Sequence, residues 1–158
     1  MDLDAVKRSL ELDPDPSSSS SSSSPAAELP PSFYDAFVLH GLRIDAAEPR
    51  RVLCSLSVPP RLANSESYLH SGVIATLADV VGSAVFYSSG FPTSGVSLEI
   101  SISYLDAAFI NEEIEIEAKL LRVGKAVGVT SIEFRKKNTG KIIAQARHSK
   151  YLAVSSKL

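Results

Sequence analysis

The stretch Ser71–Ser88, SGVIATLADVVGSAVFYS, decides the fold of this chain. Its apolar side chains recur at helical spacing, at Val73, Leu77, Val80, Ala84 and Tyr87. Because the stretch is apolar nearly all round, the pattern predicts one long helix that is buried rather than lying on the surface. A loop with Gly90, Pro92 and Gly95 follows it.

Downstream of this helix the apolar period changes to two, which is typical of strands. The alternation is clear in VSLEISISYL and looser in three later segments, so four strands are predicted, at Val96–Leu105, Ile114–Leu121, Val127–Phe134 and Ile142–Leu152. The turn signal Asn138-Thr139-Gly140 separates the last two.

The segments before the long helix are shorter. They predict an amphipathic helix with Ser32 as its N-cap, two strands around a turn at Pro49, and a polar loop, at Ser32–Leu39, Leu42–Ala46, Arg51–Val58 and Pro59–Leu69. Together the elements predict an α+β fold, with one long central helix against an antiparallel sheet of about six strands.

Composition limits the function classes. The net charge of −2 gives no reason to expect a nucleic-acid or anionic-membrane partner, and no apolar run reaches the length expected of a membrane span. The single cysteine, Cys54, excludes an internal disulfide and a thiolate-rich metal site. No metal or organic cofactor is expected. The N-terminus lacks a secretory pattern, so an intracellular, reducing compartment is expected.

The two ends of the chain differ in composition and predicted order from its middle. Residues 1–30 contain eight consecutive serines, Ser17–Ser24, flanked by prolines, and predict a disordered extension in which only Met1–Leu12 has a helical pattern. The folded domain is predicted at 31–153. The tail, 154–158, ends in Ser156-Lys157-Leu158, the signal read by the peroxisomal import receptor, so a peroxisomal location is expected, with the cytoplasm as the alternative.

Three features carry candidate chemistry. Asp79 lies in a helix predicted to be buried, where an unpaired carboxylate is costly, so it is a candidate base or nucleophile. His70-Ser71-Gly72 lies at the first turn of that helix, where free N–H groups can stabilise an oxyanion. Ser97 begins the strand that follows, and alternation alone would make it a solvent-facing hydroxyl.

In order and spacing, these residues resemble the hotdog-fold thioesterase superfamily, in the branch that contains acyl-CoA thioesterase 13 and bacterial phenylacetyl-CoA thioesterases. The resemblance runs from about Asp35 to Ala153. It rests on a series of short motifs: Asn64-x5-His70-Ser71-Gly72, Asp79, Gly95-Val96-Ser97, Ile102-x-Tyr104, Gly124-Lys125 and Thr139-Gly140-Lys141-x-Ile143-Ala144-Gln145-x-Arg147-His148. Two departures are Ser71, where the family commonly has glycine, and Asp106-Ala107-Ala108, where it has Ser-Pro-Ala.

The resemblance implies a hotdog fold and the hydrolysis of a fatty or aromatic acyl-CoA to free acid and CoA. Asp79 would act as general base or nucleophile and Ser97 would position the water. Asn64 would orient the water or the carbonyl. His70 and an N–H of Ser71 or Gly72 would polarise the carbonyl oxygen.

The resemblance also implies a binding site for CoA and an assembly. CoA would contact a basic hairpin and two tyrosines: Arg122, Val123, Gly124, Lys125, Ala126, Val127, Tyr104 and Tyr151, with Lys150 as a lesser candidate. The active site would be shared across a homodimer, with Asp79 and Ser97 facing the other subunit's Asn64 and His70, and two dimers would form a tetramer.

Two other functions stay open at the level of sequence. A hotdog module could bind acyl-CoA without catalysis, which would make Asp79 dispensable. A hotdog hydratase could act on enoyl-CoA, although such enzymes usually pair His and Asp in a different motif. A hydrolysis assay and a crotonyl-CoA hydration assay separate the three.

Overall fold

The period-two segments of the sequence form strands and the long apolar segment forms a helix. The computed structural model describes residues 32–152. The elements in chain order are α1 (Phe33–Leu39), β1 (Arg43–Glu48), β2 (Arg51–Ser57), a 3-10 turn (Pro60–Leu62), α2 (Ser71–Ser88), β3 (Val96–Tyr104), β4 (Glu113–Val123), β5 (Val127–Lys136) and β6 (Ile142–Tyr151). The predicted N-terminal extension, its short helix and the C-terminal signal lie outside the described residues.

All six strands join one antiparallel sheet in the order β1-β2-β4-β5-β6-β3. Strands β1 and β3 are therefore its edges. Helix α2 packs on one face of the sheet, and the core lies between them. The predicted α+β class, the central helix and the six strands are confirmed, with strand ends within two residues of those predicted.

Helix α2 is buried on one face only. Its buried residues come in adjacent pairs that repeat every four positions and face the sheet: Val73, Ile74, Leu77, Ala78, Val81, Gly82, Val85 and Phe86. On the opposite face Val80 and Ala84 are half-buried and Tyr87 is exposed. The prediction of a helix buried all round is therefore wrong for this chain by itself, because one sheet covers only one side of a helix.

Length and composition alone do not tell α2 from a membrane span. Within residues 32–152 it is long and apolar enough to cross a bilayer, with 18 residues and a mean hydropathy of 1.4, and 44% of the stretch is buried inside the domain. The prediction that no apolar run reaches spanning length is therefore wrong on length and composition. A core helix meets the same criterion, and the absence of a membrane span stays a prediction.

Helix α1 has the predicted bounds, with Ser32 in the N-cap position and Leu39 as its last residue. Ser32 is in a left-handed conformation, with φ of 67°, and its side chain makes no capping hydrogen bond, so the expected capping interaction is missing. At the other end Arg61 donates hydrogen bonds to the carbonyl oxygens of Phe37 and His40. This contact fastens α1 to the segment that leads into α2.

Candidate functional site

Asp79 and Ser97 lie side by side between helix and sheet. Asp79 is on the third turn of α2 and Ser97 is the second residue of β3. The Ser97 hydroxyl donates a hydrogen bond of 2.9 Å to Asp79 Oδ1. The structure thus brings together the two residues that the sequence assigned to one half of the site.

A β-bulge turns Ser97 toward the helix. With strict alternation, Ser97 would lie on the opposite face of β3 from Ile100 and Ile102, which pack on the core. The pairing of β3 with β6 shifts between Ser97 and Glu99, which places one extra residue in β3. The side chains before this bulge therefore point to the opposite face of the sheet from the one that alternation predicts. Ser97 therefore faces α2 rather than solvent.

Gly95 allows this start of β3. Its φ is +71°, and a Cβ added there would lie 2.1 Å from the carbonyl oxygen of Tyr151. Only glycine fits a backbone that approaches β6 this closely. The Gly95-Val96-Ser97 motif is thus a backbone requirement as well as a chemical one.

The carboxylate of Asp79 is half-exposed in this chain, with 45% of its side chain accessible. This agrees with a carboxylate that is only partly removed from water, although the helix that carries it is buried on one face rather than all round. Asp79 projects beside the sheet-facing stripe, on the flank of α2 that the sheet leaves open. It is accessible to a substrate or to a second subunit.

Two basic residues that the sequence did not assign to catalysis complete this cluster. His148 is fully buried, and its Nε2 lies 2.9 Å from Ser97 Oγ and 3.4 Å from Asp79 Oδ1. Lys150 is 4% exposed, and its Nζ donates to Ser83 Oγ and Ser97 Oγ. Lys150 therefore points into the domain rather than toward the surface, where CoA phosphates were expected to meet it.

The sequence carried a signal for both residues. In β6 the inward positions are Ala144, Ala146, His148 and Lys150, spaced by two. A histidine and a lysine in register with two alanines lie on the core face, where unpaired polar groups are costly. Polar residues at apolar positions of a strand indicate a site.

Burial and mutual charge set the protonation of these two groups. Desolvation lowers the pKa of His148, the Lys150 charge lowers it further, and Asp79 raises it. Desolvation also lowers the pKa of Lys150, while Asp79 and Tyr87 raise it. The neutral imidazole of His148 is therefore favoured, and its buried Nδ1 has no hydrogen-bond partner among residues 32–152.

A second cluster forms around the N-terminus of α2. The Gly72 N–H donates to His70 Nδ1 at 2.9 Å, which caps the helix and leaves the imidazole proton on Nε2. Of the two predicted backbone donors, Gly72 is thus already paired, while the Ser71 N–H has no acceptor among the described residues. Tyr104, on β3, donates from its hydroxyl to the Ser71 carbonyl oxygen at 3.1 Å.

Asn64 belongs to this second cluster by its backbone. An antiparallel bridge pairs Ala63 with Leu69, so Asn64 and His70 flank the same residue pair. Asn64 Oδ1 accepts hydrogen bonds from the N–H groups of Glu66 and Tyr68, at 3.0 and 3.2 Å. These bonds fix the amide so that its Nδ2 donors remain available.

The two clusters are separate within one chain. His70 and Asp79 are nine residues apart on one straight helix, which is about 13 Å along its axis at a rise of about 1.5 Å per residue. Reacting groups must approach within about 3.5 Å of one another. One chain therefore does not place His70 and Asp79 on the same carbonyl carbon.

The basic hairpin lies at the same end of the sheet as Ser97. Val127 pairs with Tyr151, and Tyr151 pairs with Val96, so the three strands are in register there. Arg122 and Lys125 are exposed on the hairpin that precedes Val127, and Tyr151 is 48% exposed. With strands about 4.8 Å apart, this end of the hairpin is about 10 Å from Ser97.

The fold and the paired Asp79 and Ser97 are those expected of a thioester hydrolase, and the comparisons with known proteins support this class of enzyme. The model of the thioesterase superfamily matches residues 66–143. The chain is also 36% identical over 115 residues to acyl-coenzyme A thioesterase 13 of Mus musculus and of Homo sapiens, covering 73% of this chain and 82% of each relative. The chain therefore belongs to the thioesterase superfamily, which confirms the predicted family and the predicted class of enzyme.

Solved structures of thioesterase superfamily proteins have the same fold as this chain. It is similar to zebrafish thioesterase superfamily member 2, with a TM-score of 0.74 and 34% identity over 78% of this chain and 88% of the other. The corresponding mouse protein gives 0.72 and 35%, over 77% and 89%. The PaaI protein of Escherichia coli, at 23% identity and a TM-score of 0.68 over 75% and 88%, shares the fold.

Protonation of His148 should weaken the fold in mild acid. Because burial lowers its pKa, the unfolded chain takes up this proton first as pH falls below about 6.5, so stability declines from there by at most about 1.4 kcal/mol per pH unit. Denaturant unfolding from pH 7 to 5 should show this decline in wild type and lose it in His148→Gln.

The matched control is His40→Gln, at an exposed histidine, which should keep the decline. The pH range from 7 to 5 lies above the range in which the carboxylates with a lowered pKa titrate, such as Glu117, whose pKa is about 2. An unchanged slope in His148→Gln would contradict the prediction.

Proposed function

We propose that this chain hydrolyses acyl-CoA thioesters to the free acid and CoA. The observation that carries the proposal is the hydrogen bond between Ser97 and Asp79, beside an accessible face of the central helix. The name of the relatives in mouse and human, acyl-coenzyme A thioesterase 13, supports the choice of thioester. The acyl group is fatty or aromatic.

In the proposed reaction Asp79 acts on the thioester carbon as a base. It takes a proton from a water beside the carboxylate, which Ser97 helps to position by holding Asp79 Oδ1. The water oxygen bonds to the carbonyl carbon, and the C–S bond then breaks with the proton passing to the CoA sulfur. In the alternative, Asp79 attacks the carbon itself and water hydrolyses the acyl-enzyme. Both need a carboxylate at position 79.

The carbonyl oxygen would be polarised by the second cluster. His70 presents an Nε2–H, Ser71 a free backbone N–H at the positive end of α2, and Asn64 its Nδ2 donors. Because donors of this kind are fixed before the reaction, they stabilise the developing negative charge without reorganising.

The two clusters would meet across a homodimer. Helix α2 leaves Val80, Ala84 and Tyr87 uncovered, and β3 is an unpaired edge with Val96 and Leu98 more than half exposed. A second copy on this side would bury apolar surface and supply the missing cluster to each site. Two such dimers would form a tetramer, which light scattering would measure.

Subunit complementation tests the shared site. Asp79→Asn and His70→Asn, which keeps a capping side chain, should each lower kcat by about 100-fold or more. Co-expressed and randomly paired, half of the dimers are mixed and hold one intact site, so about a quarter of wild-type activity should return.

The matched control pairs Asp79→Asn with Ser97→Ala. Both changes are on the same half, so no mixed dimer has an intact site and no activity should return. Restoration in this control, or none in the first pair, would refute the shared site. Full activity of Asp79→Asn alone would refute the mechanism.

The hairpin that contains Arg122 and Lys125 would hold the phosphates of CoA. Both side chains are exposed at the Ser97 end of the sheet, and the net charge of the chain offers no general attraction to an anion. The backbone from Val123 to Val127 and the ring of Tyr151 would line the same side, and Tyr104 would contact the pantetheine arm.

Loss of both charges should weaken substrate binding without slowing the chemistry. The double variant Arg122→Gln/Lys125→Gln should raise KM for an acyl-CoA by about tenfold and leave kcat unchanged. An acyl-pantetheine, which lacks the nucleotide phosphates, should show no change in KM. Lys137→Gln, at another exposed hairpin, is the control, and equal losses on both substrates would contradict the assignment.

We also propose a peroxisomal location, supported by the terminal Ser156-Lys157-Leu158. A fluorescent reporter that ends in residues 149–158 should colocalise with peroxisomes. The same reporter without Leu158 should stay in the cytosol. A cytosolic reporter in both cases would overturn the proposal and favour the cytoplasm.

A further inference from the structure

Lys150 is a buried lysine within reach of the reacting carboxylate. It is 4% exposed, and it sits on β6 directly opposite Ser97 in the pairing of β6 with β3. Its Nζ is 2.7 Å from Ser83 Oγ, 3.2 Å from Ser97 Oγ and 3.9 Å from Asp79 Oδ1. Burying an ammonium costs several kcal/mol, and a methionine would fill the same space without that cost. The buried charge of Lys150 therefore requires a functional explanation.

The hydrogen bonds of Ser97 show what the ammonium does. A serine hydroxyl has one donor and two acceptor sites, and an ammonium can only donate. Lys150 Nζ occupies one acceptor site of Ser97, and His148 Nε2 lies 2.9 Å from the same oxygen. In the tautomer with the His148 proton on Nε2, that group donates to the second acceptor site, and the single hydroxyl proton of Ser97 is directed to Asp79 Oδ1.

The charges around Lys150 favour its ammonium form next to Asp79. Helix α2 presents Asp79 and Tyr87 to it, β6 presents His148, and β3 presents the uncharged Ser97. Asp79 is the one carboxylate within 4 Å of Nζ among residues 32–152. The Lys150 charge in turn favours the neutral form of His148.

We propose that Lys150 is a positioning residue for the hydrolysis, whose buried ammonium fixes the Ser97 hydroxyl toward Asp79 and so holds these two residues in their reactive arrangement. This inference rests on the proposed function. Lys150 acts through Ser97 and Asp79 and need not touch the substrate. Its neutral form would leave a lone pair that competes for the Ser97 proton.

Activity should therefore depend on the ionisation of Lys150. Burial lowers the pKa of Lys150 below its ordinary value of 10.5, so the kcat of wild type, corrected for spontaneous hydrolysis, should fall with rising pH before that value is reached. Lys150→Met should lower kcat at neutral pH by at least about tenfold, leave KM within about twofold, and lose this alkaline decline.

Ser83→Ala is a milder second variant. It removes the 2.7 Å partner of the ammonium without touching Ser97 or Asp79, and alanine favours the helix, so it should fold. It should move the alkaline decline to lower pH. Lys137→Met, the same change at an exposed lysine, should leave the profile as in wild type.

The inference is overturned if Lys150→Met keeps wild-type kcat, or if Ser83→Ala leaves the alkaline decline in place. If Lys150→Met does not fold, the Ser83→Ala profile decides alone. Asp79→Asn, measured in parallel, separates this inference from the function it rests on. Activity in Asp79→Asn refutes the proposed mechanism, whereas an inactive Asp79→Asn with a wild-type Lys150→Met refutes only the role of Lys150.

Discussion

Helix α2 approaches strands β5 and β6 closely, and this contact sets the positions of the core and of the site. Gly82 lies at the contact, where an added Cβ would be 3.1 Å from His148 Nδ1 and 3.2 Å from Thr130 Oγ1. Without a side chain there, the helix settles near enough to the sheet for Asp79 to reach Ser97. A wider gap would separate the helix carboxylate from every sheet residue it contacts. Packing and chemistry are thus set by the same distance.

That constraint also decides what one chain can do. A helix is a stiff rod, so seating Asp79 against β3 fixes the capped end of α2 about 13 Å away. The donors gathered by His70 and Ser71 then have no base of their own within reach. The face of α2 that carries Asp79 is apolar, half-open and continuous with the unpaired edge of β3. In the proposed homodimer, a second copy on this face would supply the missing half of each site.

The sequence predicted most of the fold because periodicity reports which side of an element is apolar. The sequence-based prediction failed where the orientation of a side chain depends on how one element packs against another. Alternation placed Ser97 toward solvent, and a bulge that depends on the pairing of β3 with β6 turned it inward. The helix that carries Asp79 was expected to be buried, because an all-round apolar sequence does not reveal that the sheet covers only one face. His148 and Lys150 could have been found from their register in β6, since that pattern is local.

The two amides at the N-terminus of α2 have different roles, and this bears on Ser71, one of the two departures from the family pattern that the sequence resembles. The second amide, at Gly72, is already engaged by the His70 ring, and a Cβ there would meet that ring at 3.1 Å. A side chain at position 72 would push the His70 ring aside by a few tenths of an ångström, so glycine favours the observed cap. Ser71 has ordinary helical geometry as the first residue of α2, its amide is free, and its carbonyl is held by Tyr104. A side chain at 71 leaves the backbone N–H in place and changes the space beside it.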